Sequence, residues 1–203
     1  MTQYFKNFIL ENETLNFDAH TLKTSFCNAL RRIMISEIYT LGFRSSYDED
    51  SDIQIEANTS VLHNEYLGHR LSLLPIIYPP KDISLYVKDK YEFHIDVINN
   101  KENPIDVTSK DISILDTTIG KILSETETRK FFPPNNITKD FILINRLKPN
   151  KVDGVDGEKM KVIMKADKGI GKEHSRYTPT CVSVFTNKID TSKFEVALKE
   201  KLS

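Results

Sequence analysis

The feature that most limits what this chain can fold into is an apolar repeat near its start. Apolar side chains recur there at helical spacing, at Leu22, Phe26, Leu30, Ile33 and Met34. Such spacing predicts an amphipathic helix, which Asp18 or Thr21 could cap and which ends near Ile38. Arg31 and Arg32 lie in the middle of this helix, beside the apolar stripe. Unpaired guanidinium groups are costly to bury, so the pair either reaches solvent or faces a partner at an interface.

Alternation of apolar and polar residues predicts strands along much of the chain. Residues 4–10 and 14–17 form a predicted strand pair with a turn between them, and residues 39–43 form a strand after the first helix. In residues 91–97 the alternation is strict, which indicates a half-buried strand. The remaining predicted strands are residues 53–55, 111–115, 141–147, 159–167 and 180–186.

A second helix is predicted after residues 53–55. Residues 58–60 offer N-terminal caps and Pro75 ends the helix. Its predicted apolar face comprises Leu62, Tyr66, Leu67, Leu71 and Leu74. Two early helices followed by strands, with a last helix over residues 191–202, are typical of an α+β fold with a mostly antiparallel sheet. Residues 1–47 and 185–203 could form one split domain, with residues 48–184 inserted as a second domain.

Composition and charge exclude several classes of protein. The 203 residues carry 28 basic and 29 acidic side chains, and the net charge of −1 gives no reason to expect non-specific binding of nucleic acid. Cys27 and Cys181 are the only cysteines, which excludes a four-thiolate metal site and a disulfide scaffold. No apolar run approaches the roughly 20 residues that span a bilayer. No secretory signal is evident, so we expect an intracellular protein.

The densest cluster of functional side chains lies at residues 165–176. Gly169, Gly171 and Lys172 resemble a phosphate-binding glycine loop, but only one residue separates the glycines, and Glu173 follows the lysine. The phosphate-loop pattern requires four residues there and a Ser or Thr after the lysine. Two interpretations stay open, an exposed loop between strands and a docking loop. A docking loop would present charged donors and an aromatic anchor to a partner, from Lys168, Lys172, His174, Arg176 and Tyr177.

Other candidate sites for chemistry are weak. His63 and His69 are six residues apart, which places them on different faces of the predicted helix. The acidic residues of the run at 48–52 predict a solvated loop, because the glycine and terminal glutamate of a calcium loop are missing. Cys27 lies near the apolar stripe and is predicted to be a small core residue. We therefore predict no catalytic residue and no metal site.

Four blocks of sequence resemble one known family. Residues 28–41 resemble the first helix of the assembly-platform subunit of cellular RNA polymerases, and residues 58–76 resemble its second signature. Residues 107–112 and 168–177 match two further blocks in the same order. The family comprises the bacterial alpha subunit, the archaeal D subunit and the third-largest subunit of eukaryotic RNA polymerase II, and the second signature is most similar to the eukaryotic form.

The resemblance implies a non-catalytic scaffold subunit of a DNA-dependent RNA polymerase. Members of the family dimerise through the split domain, with a smaller partner subunit or another alpha copy, and then dock the second-largest subunit. By that resemblance Phe26, Leu30, Ile33 and Met34 pack toward the dimer seam. Residues that would face the large subunit or small adaptor subunits are Arg31, Arg32, Lys168, Gly169, Gly171, Lys172, Glu173, His174, Arg176 and Tyr177. The chain would bind no cofactor, since the catalytic magnesium belongs to the largest subunits. It would contact DNA only through the assembled complex, and it would not bind a membrane.

Two departures from the family matter. Eukaryotic relatives carry a cysteine-rich zinc loop after the second signature, whereas residues 81–90 contain no cysteine here, so that zinc is not expected. Family members also continue with a long helix beyond the point where this chain ends, so we expect an incomplete chain, a partner that supplies the element, or a fused or separate polypeptide. Together these departures suggest a large DNA virus polymerase. We expect the protein in the nucleus or the cytoplasm, and in the virion if it is viral.

Two alternatives from other classes of protein function remain open. One is a nucleotide-binding enzyme that uses residues 169–172, and the other is a free-standing nucleic-acid-binding module.

Overall fold

A computed structural model of the chain describes residues 4–46, 51–150, 152 and 155–202. The strands in these ranges are β1 (Phe5–Glu11), β2 (Thr14–Ala19), β3 (Tyr39–Gly42), β4 (Ile53–Asn58), β5 (Tyr91–Ile98), β6 (Ile105–Thr108), β7 (Ile112–Asp116), β8 (Lys121–Ile122), β9 (Leu143–Leu147), β10 (Lys159–Lys165) and β11 (Asp167–Ile170). The α-helices are α1 (Thr24–Ser36), α2 (Asn64–Ser72), α3 (Glu125–Phe131) and α4 (Thr191–Leu202). None of these helices is long and apolar enough to cross a bilayer. Helices combined with antiparallel strands agree with the predicted α+β class.

The chain divides into two compact units. Met1–Ile35 and Thr180–Ser203 form one, which we call the terminal unit. Ser36–Pro179 forms the other, the central unit.

In the terminal unit β1 and β2 form an antiparallel hairpin, as their alternation predicts. The pairing register shifts between Lys6 and Ile9, and Asn7 in this bulge has a φ of 54°. The ring of Phe17 contacts those of Phe5 and Phe8, with centroid distances of 5.6 Å in both pairs. These aromatic contacts hold the two strands together on one side of the hairpin.

The start of α1 differs from the prediction. The helix begins at Thr24, so the prediction that Asp18 or Thr21 caps it is wrong, and Leu22 lies before it. The Asp18 carboxylate instead accepts hydrogen bonds from Lys188 and Asn7, which lower its pKa. The predicted strand at residues 180–186 is also wrong, because those residues belong to no strand. Apolar and polar residues do alternate there, but these residues pair with no strand in the described part of the chain.

A five-stranded antiparallel sheet is the centre of the central unit. Its strand order is β4-β10-β5-β7-β8, so β5 lies in the middle. Phe93 and Ile95 of β5 are fully buried, which confirms the strand that their alternation predicts. The ring of Phe93 packs edge-on against that of Phe43 at 5.1 Å between centroids. One face of the sheet packs against α2 and against the phenylalanines around α3. The core therefore lies between the sheet and these helices.

Two smaller strand pairs complete the central unit. β3 pairs with β11 in antiparallel register, with Thr40 opposite Gly169. β6 pairs with β9, and the register shifts so that Val107 lies opposite Asn145 and Thr108 opposite Leu143. The shift leaves Ile144 as an extra residue, a β-bulge. Both pairs involve residues of the family-like blocks described above.

The second helix is shorter than predicted. It begins at Asn64 with His63 as its N-cap, whose ring Nδ1 accepts the backbone N–H of Glu65 at 3.5 Å, so the predicted cap at residues 58–60 is wrong. Leu67 and Leu71 are buried as predicted, whereas Tyr66 is 70% exposed and does not join the apolar face. The helix ends at Ser72, before Pro75.

The acidic run after β3 is not wholly solvated. Residues 47–50 of this run lie outside the described residues. Asp52 is only 7% exposed, and its carboxylate pairs with Arg44 and Lys88. The backbone N–H of Asp52 also donates to the carbonyl of Arg44 at 2.9 Å. The prediction of a solvated carboxylate is therefore wrong at Asp52, because a tertiary contact supplies two cations that the local sequence does not reveal.

Candidate subunit interface

The amphipathic stripe of α1 is not buried within this chain. None of the residues of α1 is buried, and Phe26 and Ile33 remain 51% and 49% exposed. Leu30 and Met34, on the same stripe, are half-buried. The predicted helix and its apolar stripe are confirmed, but the described part of the chain supplies nothing that covers the stripe. An amphipathic helix gains most of its stability by burying such a face.

Apolar side chains are exposed over the whole terminal unit, as they are on α1. Every buried hydrophobic side chain among the described residues lies between Leu41 and Tyr177, inside the central unit. Apolar side chains of the terminal unit that are at least 39% exposed are Tyr4, Phe8, Ile9, Leu10, Leu15, Phe26, Ile33, Val182, Val184, Phe185, Ile189, Phe194 and Leu198. Monomeric proteins rarely expose so many large apolar side chains in one region.

An open groove lies on this apolar surface. It has a volume of about 680 Å³ and lies between Tyr4 and Phe5 on one side and the first turn of α1 on the other. Leu22 and Phe26 give it apolar walls, and Lys23 stands at its side. A groove of this shape can receive an apolar element of another polypeptide.

Arg31 is held along the surface of α1. Its Nε and Nη2 atoms donate to the Asn28 side-chain oxygen at 3.2 and 3.0 Å. Arg32 is exposed on the same helix. Neither arginine is buried within the chain, and a partner role for the pair stays a prediction.

The glycine-rich segment is not a free loop over its whole length. Its first residues belong to β11, where Lys168 lies opposite Leu41 of β3. The chain then turns, and within the central unit the backbone N–H of Lys172 donates to the carbonyl of Ser36 at 3.0 Å. A 3-10 turn at Ser175–Tyr177 closes the segment. Lys172, Glu173, His174 and Ser175 are exposed at the tip of this turn.

Tyr177 does not present its ring to a partner, contrary to the prediction of an aromatic anchor. The side chain is 4% exposed, and its burial raises the pKa of the phenol. The ring lies between Gly42 and Gly169, since a Cβ built on Gly169 would lie 2.5 Å from the ring. The Thr40 hydroxyl donates to the backbone carbonyl of Tyr177 at 2.6 Å. Tyr177 is therefore a wedge that fixes the turn to the β3–β11 pair.

The same packing removes the phosphate-loop alternative. Gly169 is paired with Thr40 in the strand ladder, and the Tyr177 ring covers its other side. A phosphate cradle needs open space over its glycines and free backbone N–H groups. Gly169 offers no such space.

Arg176 and His174 order the end of the segment. Arg176 Nη1 donates to the carbonyl of Phe43 at 2.6 Å. The backbone N–H of Arg176 donates to His174 Nδ1 at 3.2 Å, so His174 caps the 3-10 turn. Partial burial and the nearby charges of Arg176 and His69 lower the pKa of His174.

A search of protein-family profiles finds no match for the chain. The rpb3 subunit of DNA-directed RNA polymerase II from Dictyostelium discoideum is 26% identical over 186 residues, which cover 87% of this chain and 55% of that protein. Subunit 3B of DNA-directed RNA polymerases IV and V from Arabidopsis thaliana is 27% identical, with 87% and 54% covered. The rpac1 subunit of RNA polymerases I and III from Dictyostelium discoideum is 30% identical, with 84% and 48% covered.

The chain is a homologue of these RNA polymerase subunits. It spans about half the length of the curated relatives that it matches. These relatives confirm the resemblance that the four blocks of sequence indicate.

Sequence reasoning did not assign a role to Arg70, although this residue lies in the second block of the subunit homologue. Its Nε donates to the carbonyl of Ile144 at 2.9 Å and its Nη2 to the carbonyl of Leu143 at 2.8 Å. These carbonyls belong to the bulge in β9, where the ladder cannot satisfy both. Arg70 therefore joins α2 to β9. The only sequence signal was an arginine on the polar side of a predicted helix.

The described residues of the polymerase-subunit homologue contain no group of three or more His, Cys, Asp or Glu side chains that could hold a metal ion. Cys27 is half-buried on α1 and Cys181 is exposed. Residues 81–90, where eukaryotic relatives were expected to carry zinc ligands, form two 3-10 turns instead. The aromatic rings of Tyr78, Tyr86 and Tyr91 pack around these turns.

Proposed function

We propose that the chain is a non-catalytic scaffold subunit of a DNA-directed RNA polymerase. In this proposal the terminal unit is the dimerisation domain and binds a smaller partner subunit. The second-largest subunit and small adaptor subunits then dock on the dimer, and the chain meets DNA only through the assembled enzyme. The names of the relatives support membership in such an enzyme, and the pairing itself is our inference from the surface.

The observation that carries the proposal is the uncovered apolar surface of the terminal unit. Burial of apolar area contributes about 25 cal/mol per Å², so a partner that covers Phe26 and Ile33 gains roughly 1 kcal/mol from the exposed half of each side chain. Eleven further apolar side chains on the same unit are also exposed, so a partner that covers this surface has a large apolar area to bury. The open groove beside Phe26 offers a place for an apolar side chain of the partner.

Two separate features, one in each unit, support docking of a larger subunit. In the terminal unit Arg31 is held along α1 by its hydrogen bonds to Asn28. In the central unit the turn at residues 171–176 is held by the hydrogen bond from the Lys172 N–H to the carbonyl of Ser36. Guanidinium groups with fixed geometry recognise carboxylates and backbone carbonyls with high specificity. Interface energy usually depends on a few such residues.

The test is co-purification of the tagged chain, co-expressed with the candidate small partner and the second-largest subunit. Ile33→Glu places a charge on the seam, and burial of an unpaired carboxylate costs several kcal/mol, which corresponds to more than about a hundredfold loss of affinity. The small partner should be lost from the purified complex. Thr24→Glu, on the opposite side of α1, is the matched control and should retain it.

The arginine pair is tested in the same preparation. Arg31→Ala combined with Arg32→Ala should retain the small partner but bind less of the second-largest subunit. A matched loss of two exposed charges, Lys121→Ala with Lys159→Ala, should change neither. Retention of both partners by the Ile33→Glu variant would contradict the dimerisation role, and undiminished binding of the large subunit by the arginine double variant would contradict docking through this pair.

A further inference from the structure

A cavity separate from the groove described above lies in the central unit, between the start of β7 and α3. It has a volume of about 220 Å³. Its apolar walls are formed by Ile112, Leu123, Phe132 and Phe141. Its lining also includes four exposed polar side chains, which mark the mouth: Lys110, Ser113, Glu125 and Arg129. The cavity is therefore apolar inside and open to solvent at one side.

Thr128 supplies a polar group to this cavity. It lies on the same face of α3 as Glu125 and Arg129, which also line the cavity. The residue is only 8% exposed, and its hydroxyl makes no hydrogen bond within the described part of the chain. The hydroxyl oxygen is not one of the fully enclosed atoms that lack a partner, so it remains accessible, and the cavity provides that access.

The other hydroxyl groups of the lining are already engaged. Ser109 Oγ accepts the backbone N–H of Ile142 at 3.2 Å. Ser113 Oγ donates to the carbonyl of His94 at 3.3 Å. A nearly buried hydroxyl without a hydrogen bond is unfavourable, so the Thr128 hydroxyl is the group that a ligand in this cavity would satisfy.

The size and the walls of the cavity select the class of ligand. An apolar cavity of about 150 Å³ can hold one benzene ring, so a volume of about 220 Å³ leaves room for a ring with small substituents. Phe132 and Phe141 offer contacts between rings, which favour an aromatic ligand over an aliphatic one. A charged ligand is disfavoured because the walls are apolar and because Glu125 and Arg129 at the mouth already pair with each other.

We propose that this cavity is a binding site for a single phenol ring, whose hydroxyl group forms a hydrogen bond with the Thr128 hydroxyl. Both groups can donate and accept, so they match each other without charge. The ring would displace water from the apolar walls. All residues of the lining belong to the central unit, so the site does not depend on the subunit contacts proposed above. A free phenol and the side chain of a tyrosine on another polypeptide share this chemistry.

The test is a titration of the full chain with p-cresol, the tyrosine side chain as a free molecule, followed by NMR of isoleucine and leucine methyl groups. Ile112 and Leu123 line this cavity and not the groove of the terminal unit, so their methyl resonances report this site. p-Cresol should shift both resonances in a saturable way. Toluene, which lacks only the hydroxyl, should bind about three- to tenfold more weakly, which is the contribution of one hydrogen bond.

Three variants separate the hydroxyl from the cavity itself. Thr128→Val removes the hydroxyl at nearly constant shape, so it should weaken p-cresol by the same factor and leave toluene unchanged. Leu123→Phe fills the cavity and should abolish binding of both molecules, with Ile112 as the remaining reporter. Ile122→Phe, one residue earlier and outside the lining, is the matched control and should retain binding. Thermal unfolding verifies that each variant is folded.

The outcomes are distinct. Absence of a saturable shift at Ile112 and Leu123 in the wild type would overturn the site. Equal affinity for p-cresol and toluene in the wild type would overturn the choice of a phenol, even if the Thr128→Val variant does not fold. N-acetyltyrosine amide distinguishes the two sources of the ring. Binding as tight as that of p-cresol supports a tyrosine of another polypeptide, and binding of p-cresol alone supports a free phenol.

Discussion

Replacement of Gly169 by alanine tests how the turn at residues 171–176 is held. The Tyr177 ring lies between two glycines, with Gly169 against its Cε2, Cδ2 and Cζ atoms and Gly42 against Cε1 and Cδ1. A methyl group on Gly169 would lie 2.5 Å from Cε2, and one on Gly42 would lie 3.0 Å from Cε1. Carbon atoms prefer a separation of about 3.5–4.0 Å. The ring would have to move by about 1 Å in the first case and by about half of that in the second.

The magnitudes follow from this geometry. Insertion of an extra methyl group into a packed core costs about 1–3 kcal/mol. We expect Gly169→Ala to lie near the upper end, at about 3 kcal/mol, and Gly42→Ala near about 1 kcal/mol. Movement is resisted because the ring is buried and the carbonyl of Tyr177 is hydrogen-bonded to Thr40.

Both costs in free energy of unfolding are measured by urea unfolding of the full chain. Far-ultraviolet circular dichroism monitors the unfolding, because the sequence has no tryptophan. Tyr177→Leu removes the obstructing ring atoms, so Gly169→Ala should cost less than about 0.5 kcal/mol in that background. An unchanged cost in the Tyr177→Leu background would refute the steric explanation. So would a Gly42→Ala variant that is less stable than Gly169→Ala.

Two further predictions concern the central unit. Arg70→Met, which retains the apolar stem, should lower the free energy of unfolding by about 2–3 kcal/mol because two carbonyls in the β9 bulge lose their charged donor; a change below about 0.5 kcal/mol in urea unfolding would show that water replaces the guanidinium group without cost. Burial, Arg176 and His69 lower the pKa of His174 below its ordinary value of 6.5, while Lys172 and Glu173 flank it. The unfolded chain therefore binds the proton more strongly, and stability should fall as the pH is lowered through about 6.5. His174→Asn should reduce this slope in urea unfolding at several pH values, and an identical slope in both proteins would contradict the assignment.

Much of the secondary structure follows from the sequence alone. The strict alternation in β5 identifies a strand because it places Phe93 and Ile95 on the same face of a sheet, and burial of that one face is enough to cover both. The stripe of α1 likewise identifies a helix, although its first residue could not be predicted. The cap depends on contacts outside the helix, and Asp18 is engaged by Lys188, far along the chain.

The candidate site was only partly predictable. Arg31, Arg32 and the exposed tip residues of the turn could be selected by their chemistry and by the resemblance to a family. The burial of Tyr177 could not, because only the tertiary structure places its ring between Gly42 and Gly169. The burial of Asp52 is a similar case, since Arg44 is near in sequence but Lys88 is not.

By itself the sequence determined the periodic elements and the similarity to RNA polymerase subunits, because both are recorded in short runs of residues. Only the tertiary structure decided which apolar residues stay uncovered and which polar residues become wedges and caps. Tyr177 shows the reason: its ring is buried because strand pairing places Gly42 and Gly169 on either side of it. Contacts between residues so distant along the chain leave no pattern in any local window.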